Sequence, residues 1–191
     1  MKTGLVLEGG GLRGAYTAGA LSWFIKEGIH FDYSAGISSG AQHLSYFLSQ
    51  DAHKLKQMAV VAGANELNVG LKSFFKEGQL VGYNHLQDYV VTNVPLDFEA
   101  VRNNKTKGEI GIFDLKAGKT RWVPVSDLDT NFEMLKAASL IPIAGKPVII
   151  DNKKYVDAGV EHMIPIKRSS EKGIEKHLVI TTKPKTYELS K

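Results

Sequence analysis

Gly36-Ile37-Ser38-Ser39-Gly40 is the stretch of this chain best suited to covalent chemistry. A G-x-S-x-G run turns sharply from strand into helix and holds its central hydroxyl out at the tip. Phe31 to Ala35 ahead of it reads as a short strand. Behind it, Ala41, Leu44, Phe47 and Leu48 fall on one helical face. Ser38 is therefore placed as a nucleophile would be. The competing reading is a small-residue turn in which Ser39 caps a helix.

A second glycine cluster lies upstream. Thr3 to Leu7 reads as a buried strand, followed by Glu8-Gly9-Gly10-Gly11-Leu12-Arg13-Gly14 and then a helix from Ala15 to Lys26 that stops at Gly28. Strand, helix and strand in this length form a βαβ unit with parallel strands and a right-handed crossover. The loops after both strands leave from one sheet edge, which sets the glycine loop beside Ser38. The backbone N–H groups of Gly9, Gly10 and Gly11 can approach a ligand closely, and two helix N-termini there favour negative charge. A hydroxyl beside preorganised donors is the arrangement acyl transfer needs, because the donors hold the oxyanion formed on attack.

Gly9-x-Gly11-x-x-Gly14 also fits a dinucleotide fingerprint, with Asp32 as the ribose acid of an oxidoreductase. Asp32 sits at the start of its strand rather than its end, and the serine elbow has no task in that reading. Acyl transfer is preferred.

A serine nucleophile needs a base. Asp157, in Asp157-Ala158-Gly159, follows the short strand Lys153 to Val156, itself paired with Pro147 to Ile150. It can act on Ser38 directly, or orient His162 or His177 in the manner of a serine–histidine–acid triad. An α/β-hydrolase would place several strands before its elbow, and here one precedes the elbow strand. A plain Asp-x-Gly turn is the other reading.

The remaining elements are support. Ser49 to Leu67 reads as polar helix, Gly70 to Asn84 as turn-rich, and Leu86 to Thr92 as a helix. Lys107 to Leu115 and Lys119 to Val125 read as a hairpin, and Asp129-Thr130-Asn131 as the cap of a helix from Phe132 to Ser139. His43, His53 and His85 read as packing or helix-surface residues, and no ligand spacing predicts a metal. The 191 residues fit one domain, 1–191. No apolar run reaches the ~20 residues of a spanning helix, and the first residues do not form a signal peptide. The absence of cysteine excludes disulfides and thiolate metal sites and fits a cytoplasmic location. The net charge of +4 is spread too evenly for a nucleic-acid footprint, but allows weak attraction to an anionic membrane surface.

Taken in series, Glu8 to Gly14, Gly36 to Gly40, Ala138-Ser139-Leu140-Ile141-Pro142 and Asp157-Ala158-Gly159 closely resemble the motifs of patatin-like phospholipases, in order and spacing and over nearly the whole chain. The resemblance implies a three-layer α/β/α domain of the α/β class, with a central mostly parallel sheet. It implies hydrolysis of acyl esters of lipids by a Ser–Asp dyad without histidine, cofactor or calcium. By position, Ser38 corresponds to the nucleophile and Asp157 to the base. The loop Gly9 to Gly11, chiefly the amides of Gly10 and Gly11, corresponds to the oxyanion hole. Leu12, Arg13, Gly14, Gly36, Gly40, Ala158 and Gly159 support these motifs, and Ala138 to Pro142 shapes the wall. The expected partner is a lipid or acyl ester, with peripheral membrane contact. Asp-Ala-Gly replaces Asp-Gly-Gly in the last motif. The chain stops at Lys191 where bacterial members continue with helices, so the expectation is a compact member or one lacking a C-terminal segment. A catalytically silent lipid-binding module is the alternative of a different class.

Overall fold

The computed structural model describes residues 1–61, 75, 77–78, 80–184 and 186–187. Its spine is β1 (Thr3–Leu7), a near-continuous apolar strand because both of its faces are covered. A 3-10 turn at Gly11–Arg13 leads into α1 (Gly14–Lys26). Next come β2 (Tyr33–Gly36), α2 (Ser39–Leu48) and α3 (Ala52–Val61). The chain continues through α4 (Tyr83–Asn93), α5 (Phe98–Asn103), β3 (Lys107–Asp114), β4 (Lys119–Pro124) and α6 (Glu133–Ser139). It closes with β5 (Val148–Ile150), β6 (Lys153–Asp157), α7 (Ile166–Glu171) and β7 (Lys176–Ile180).

The strands form one mixed sheet in an α/β fold. β7, β1, β2 and β3 run parallel, while β4, β5 and β6 add antiparallel pairings. Alternation along β1 divides the helices between the faces. Leu5 and Leu7 enter the main core with Leu44, Phe47 and Leu21 of α2 and α1. Gly4 points the other way, where a Cβ would lie 2.7 Å from the Ser169 hydroxyl of α7. Tyr33, Ala35 and Ile174 form a second, smaller core on that side. Glu109 fastens α7 there: it accepts from Arg168 at 2.7 and 3.0 Å and from the Tyr33 hydroxyl at 2.6 Å, with Lys172 at 2.9 Å. Burial alone would raise its pKa, but these partners outweigh burial and hold it below the usual carboxylate range.

The order of strands 3 and 6 positions the site. At Glu109, β3 pairs with Ala35 of β2 on one side and Pro124 of β4 on the other. At Ile112 it pairs with Arg121 of β4 and Asp157 of β6. A strand has two hydrogen-bonding edges, so β2 and β6 share one edge of β3, end against end. Gly36 sits opposite Ile110 and Asp157 opposite Ile112, two positions along.

Several expected boundaries shift. β2 begins at Tyr33, because the Phe31 carbonyl accepts from the Thr106 hydroxyl at 2.8 Å rather than from a ladder partner. β7 spans Lys176–Ile180 instead of Leu178 to Thr182, since Thr182 turns toward Glu8. α6 begins after Phe132, whose φ of 62° is left-handed, and Asp129 caps it by accepting from Glu133 and Met134 at 2.8 and 2.9 Å. α5 and α7 are unexpected short helices, too brief to print a helical period. In the polar-helical stretch Ser49 to Leu67, α3 is seen to Val61 and the rest lies outside the described residues. So do residues 70–74, 76 and 79 of the turn-rich stretch from Gly70 to Asn84, whose last residues, from Tyr83, enter α4.

Two glycine substitutions should move stability in opposite directions in chemical denaturation. A Cβ at Gly36 would lie 2.5 Å from the Gly40 carbonyl oxygen, so Gly36→Ala should lose about 1–3 kcal/mol. Gly19 is exposed within α1 with open space around it, so Gly19→Ala should gain about 0.5–1 kcal/mol.

Candidate active site

Ser38 follows Ile37 in the turn between β2 and α2, at φ 55° and ψ −127°, a conformation that L-residues avoid. The strain is held by its surroundings. Ile37 is fully buried, its N–H donates to the Leu7 carbonyl at 3.3 Å, and its carbonyl accepts from Gly40 at 2.8 Å. The Ser38 carbonyl accepts from Ala41 and Gln42 at 2.9 and 3.2 Å and so starts the helix. A Cβ at Gly40 would sit 2.7 Å from the Leu7 carbonyl oxygen, so the elbow can press onto β1 only with glycine there. The Ser38 side chain is half-buried at the tip.

Asp157 ends β6, 5 % exposed. Its N–H donates to the Leu140 carbonyl at 2.9 Å, and its Oδ1 accepts from the Gly159 N–H at 2.8 Å. Burial raises its pKa above the usual aspartate value, and the Ser38 hydroxyl and Gly159 N–H offset part of the rise. Of the two, the Ser38 hydroxyl does more to stabilise the carboxylate, so the two side chains lie within reach of each other. Ala158 is fully buried behind this pair. The structure brings Ser38, Asp157, the glycine loop and the Ile141 wall together.

The glycine loop meets the elbow directly, since a Cβ at Gly9 would lie 2.9 Å from the Ser38 Cβ. Its amides are not equivalent, however. Gly9 N–H donates to the Met163 carbonyl at 3.1 Å, and Gly10 N–H to the Ser39 hydroxyl at 3.1 Å. Both are spent within the protein, which departs from the expectation that Gly10 offers its amide to an oxyanion. Gly11, at φ 55°, faces the cavity beside Ser38 and Ser39. The amides of Gly11 and Ser39 make no hydrogen bond among the described residues. Leu12 is 59 % exposed at the rim, and Arg13 is exposed beside it. Gly14 is buried against Ser39 and the His43 ring.

A buried clamp holds this loop. The Glu8 carboxylate, 3 % exposed, accepts from both the N–H and the hydroxyl of Thr182, the hydroxyl at 3.1 Å. The same hydroxyl lies 3.0 Å from the Gly9 carbonyl. Thr182 fills the space a side chain at Gly10 would need. Nothing in the sequence pointed to Thr182, because the partners are separated by almost the entire chain.

A cavity of about 380 Å³ opens from Ser38 and Gly11 between α2, α4 and α6, with Met58, Leu86, Val90, Phe132, Leu135 and Ile141 among its apolar walls. That size and character suit a small-molecule or acyl-chain site. His43 lines it, 4 % exposed, its Nδ1 without a partner among the described residues. Burial pushes its pKa down to about 4, so it is neutral near pH 7. The helix-surface alternative for His43 is thus excluded. Gln42 donates to the Leu135 carbonyl and the Ser139 hydroxyl, both at 2.8 Å, and ties α2 to α6 across the cavity floor.

The alternative bases lie elsewhere. His162 stacks on Trp122 and faces Glu161 at 3.7 Å. His177 pairs in register with Gly4, toward the opposite end of the strands from the elbow. Asp32 accepts from the N–H and hydroxyl of Thr3 at 2.7 and 3.2 Å, also at the strands' far end, so it cannot meet a ribose bound at the glycine loop. The dinucleotide reading fails on that placement. Among the described residues no cluster of His, Asp and Glu could hold a metal, and no helix is long and apolar enough to cross a membrane.

Because Asp157 is raised by burial, its ionisation costs folding free energy. That stability is present below the unfolded-state pKa and is lost as pH rises through the folded value. Asp157→Asn should therefore be more stable than the parent at pH 7, and this advantage should shrink in denaturant titrations taken down toward pH 3–4.

The comparisons agree with the architecture. The sequence profile described as patatin-like phospholipase matches residues 5–168. YjjU of Escherichia coli (strain K12), a protein described only as uncharacterised, is 28 % identical over 186 residues, which cover 94 % of this chain and 52 % of YjjU. Among solved structures, VipD from Legionella pneumophila superposes with a TM-score of 0.52 at 10 % identity, over 83 % of this chain and 46 % of VipD, a likeness of fold. The chain spans about half the length of each. With the elbow, the glycine loop and the mixed sheet in place, the profile match over most of the sequence settles the family: this chain belongs to the patatin-like phospholipases.

Proposed function

We propose that the chain is a serine acyl hydrolase that cleaves fatty-acyl esters of lipids with a Ser38–Asp157 dyad. The observation that carries this reading is the shared edge of β3, which sets the strained Ser38 elbow against a buried aspartate at the mouth of an apolar cavity. Family membership supports lipid acyl hydrolysis in general.

The ester places its acyl chain in the cavity and its carbonyl carbon over Ser38. Asp157 takes the hydroxyl proton as Ser38 Oγ bonds to that carbon. The oxyanion is held by the Gly11 and Ser39 amides, with Gly9 and Gly10 shaping the loop rather than donating. As the tetrahedral centre collapses, the carbon–oxygen bond to the alcohol breaks and Asp157 returns its proton to that oxygen. A lysolipid or other alcohol departs. Water then attacks the acyl-serine, giving a proton to Asp157, and the fatty acid leaves as Ser38 regains its hydrogen.

An aspartate with an ordinary pKa of about 3.9 is a weak base toward a hydroxyl. Burial of Asp157 makes it a stronger one. The rest of the barrier falls to positioning and to the amide donors, each worth on the order of 2.7–4 kcal/mol in comparable sites. Rising burial at Asp157 and bare amides at Gly11 and Ser39 thus serve the same step.

Ser38→Ala and Asp157→Asn should each abolish hydrolysis of a p-nitrophenyl acyl ester while keeping the fold, and a fluorophosphonate should label the parent at Ser38. The acid limb of the pH–rate profile should lie above that of an ordinary aspartate, because protonation of Asp157 removes the base. Full activity in Asp157→Asn would reject the dyad. A folded parent that neither reacts with fluorophosphonate nor turns over ester would be a silent lipid-binding module.

A further inference from the structure

The turn from Ile141 to Gly145 pairs two features that rarely occur together. Ile143 has φ 75°, a left-handed conformation that penalises a β-branched residue. Its side chain is also 99 % exposed, so no contact within the molecule compensates for that conformation. A glycine would suit the backbone better and a polar residue would suit the solvent better.

The turn is firmly anchored. Ala144 N–H donates to the Ile141 carbonyl at 3.1 Å, and Pro142 and Gly145 form a bridge. The Ile141 N–H donates to the Tyr83 hydroxyl at 2.8 Å, and the Val81 N–H to the Ala144 carbonyl at 3.3 Å. Immediately before the turn, the Leu140 carbonyl holds the Asp157 amide. A rigid base thus carries an apolar tip outward beside the reactive centre.

The base of the turn reaches the cavity mouth. Ile141, 51 % exposed, and Leu12, 59 % exposed, both line the cavity and both reach solvent. Arg13 follows Leu12, exposed, with no side-chain hydrogen bond or ion pair among the described residues. Among the described residues, Lys136 is the charged residue in the cavity wall and no carboxylate lines it. Apolar points with positive charge among them, around the opening of an apolar cavity, complement an anionic bilayer: side chains enter the acyl region while cations meet headgroups.

We infer that the Ile141–Gly145 turn, with Leu12 and Arg13 across the mouth, docks on an anionic lipid bilayer, with Ile143 as the inserted anchor. This rests on the lipid-hydrolase reading for its purpose, since an acyl chain can then pass from bilayer to cavity without crossing water. The docking itself requires no hydrolysis.

Sedimentation with vesicles of phosphatidylcholine, alone or mixed with phosphatidylglycerol, tests it. The parent should bind the anionic vesicles and bind the zwitterionic ones more weakly. Ile143→Gly and Ile143→Asp should each bind at least about tenfold more weakly, the factor expected for losing one inserted aliphatic side chain. Both should keep the parent's rate on a short, water-soluble p-nitrophenyl ester. Ile143→Gly should also melt at a higher temperature than the parent, a pairing of greater stability with weaker binding that a merely structural isoleucine would not give. Arg13→Gln should narrow the preference for anionic vesicles. A parent that fails to sediment with anionic vesicles, or an Ile143→Gly protein that binds like the parent, overturns the proposal. Ser38→Ala should bind as the parent does, so vesicle binding without ester turnover in the parent would leave the docking standing and reject the hydrolase reading.

Discussion

Everything at the candidate site depends on how one edge of β3 is divided. β2 occupies its first half and β6 its second, and each ends where the other leaves off. Because β6 runs antiparallel to β3 while β2 runs parallel to it, their C-terminal ends converge. A serine on one and an aspartate on the other meet without a loop having to carry either side chain across the sheet. Backbone hydrogen bonds fix that meeting, a more precise way to place two groups than loops offer.

The convergence is costly at both of its ends. Ser38 adopts a backbone conformation that isolated L-residues avoid, and Asp157 is buried with a raised pKa. The surrounding structure offsets both. Ile37, fully buried, and the close fit of Gly36 and Gly40 hold the elbow, while the Gly159 amide and the Ser38 hydroxyl offset part of what burial costs the carboxyl. The opposite face of the sheet treats a buried carboxylate differently. There Glu109 is surrounded by Arg168, Lys172 and Tyr33, whose hydrogen bonds outweigh burial and hold it below the usual carboxylate range. Asp157 has fewer such partners, and burial raises it.

Several features of the candidate site are legible in the local sequence. Gly36 and Gly40 flank Ser38 in a G-x-S-x-G run, the order of β1, α1 and β2 marks a parallel unit, and Asp157 follows a short strand with glycine two residues on. Those signals are contained within a few residues of each other. The amide roles were not legible, because whether Gly10 N–H faces a ligand depends on where the Ser39 side chain rotates. Thr182 was invisible for a related reason: its partner Glu8 lies at the other end of the chain, and a threonine just past a strand carries no local pattern. The short helices α5 and α7 span less than two turns, too little for a period to emerge. The pairing of β6 with β3 was likewise hidden, since strand neighbours distant in sequence leave no mark on either strand alone.

The Glu8–Thr182 contact has a mechanical consequence. Glu8 is almost fully buried and draws two of its hydrogen bonds from a single residue, so the chain just past β7 acts as a tether on the loop beside Ser38. A nick in the backbone between Ile180 and Thr182 would leave every strand of the sheet in place. It would also leave the buried Glu8 carboxylate without those donors and free the Gly9 carbonyl, so damage on the edge strand would be felt first at the loop beside Ser38 rather than in the melting of the fold.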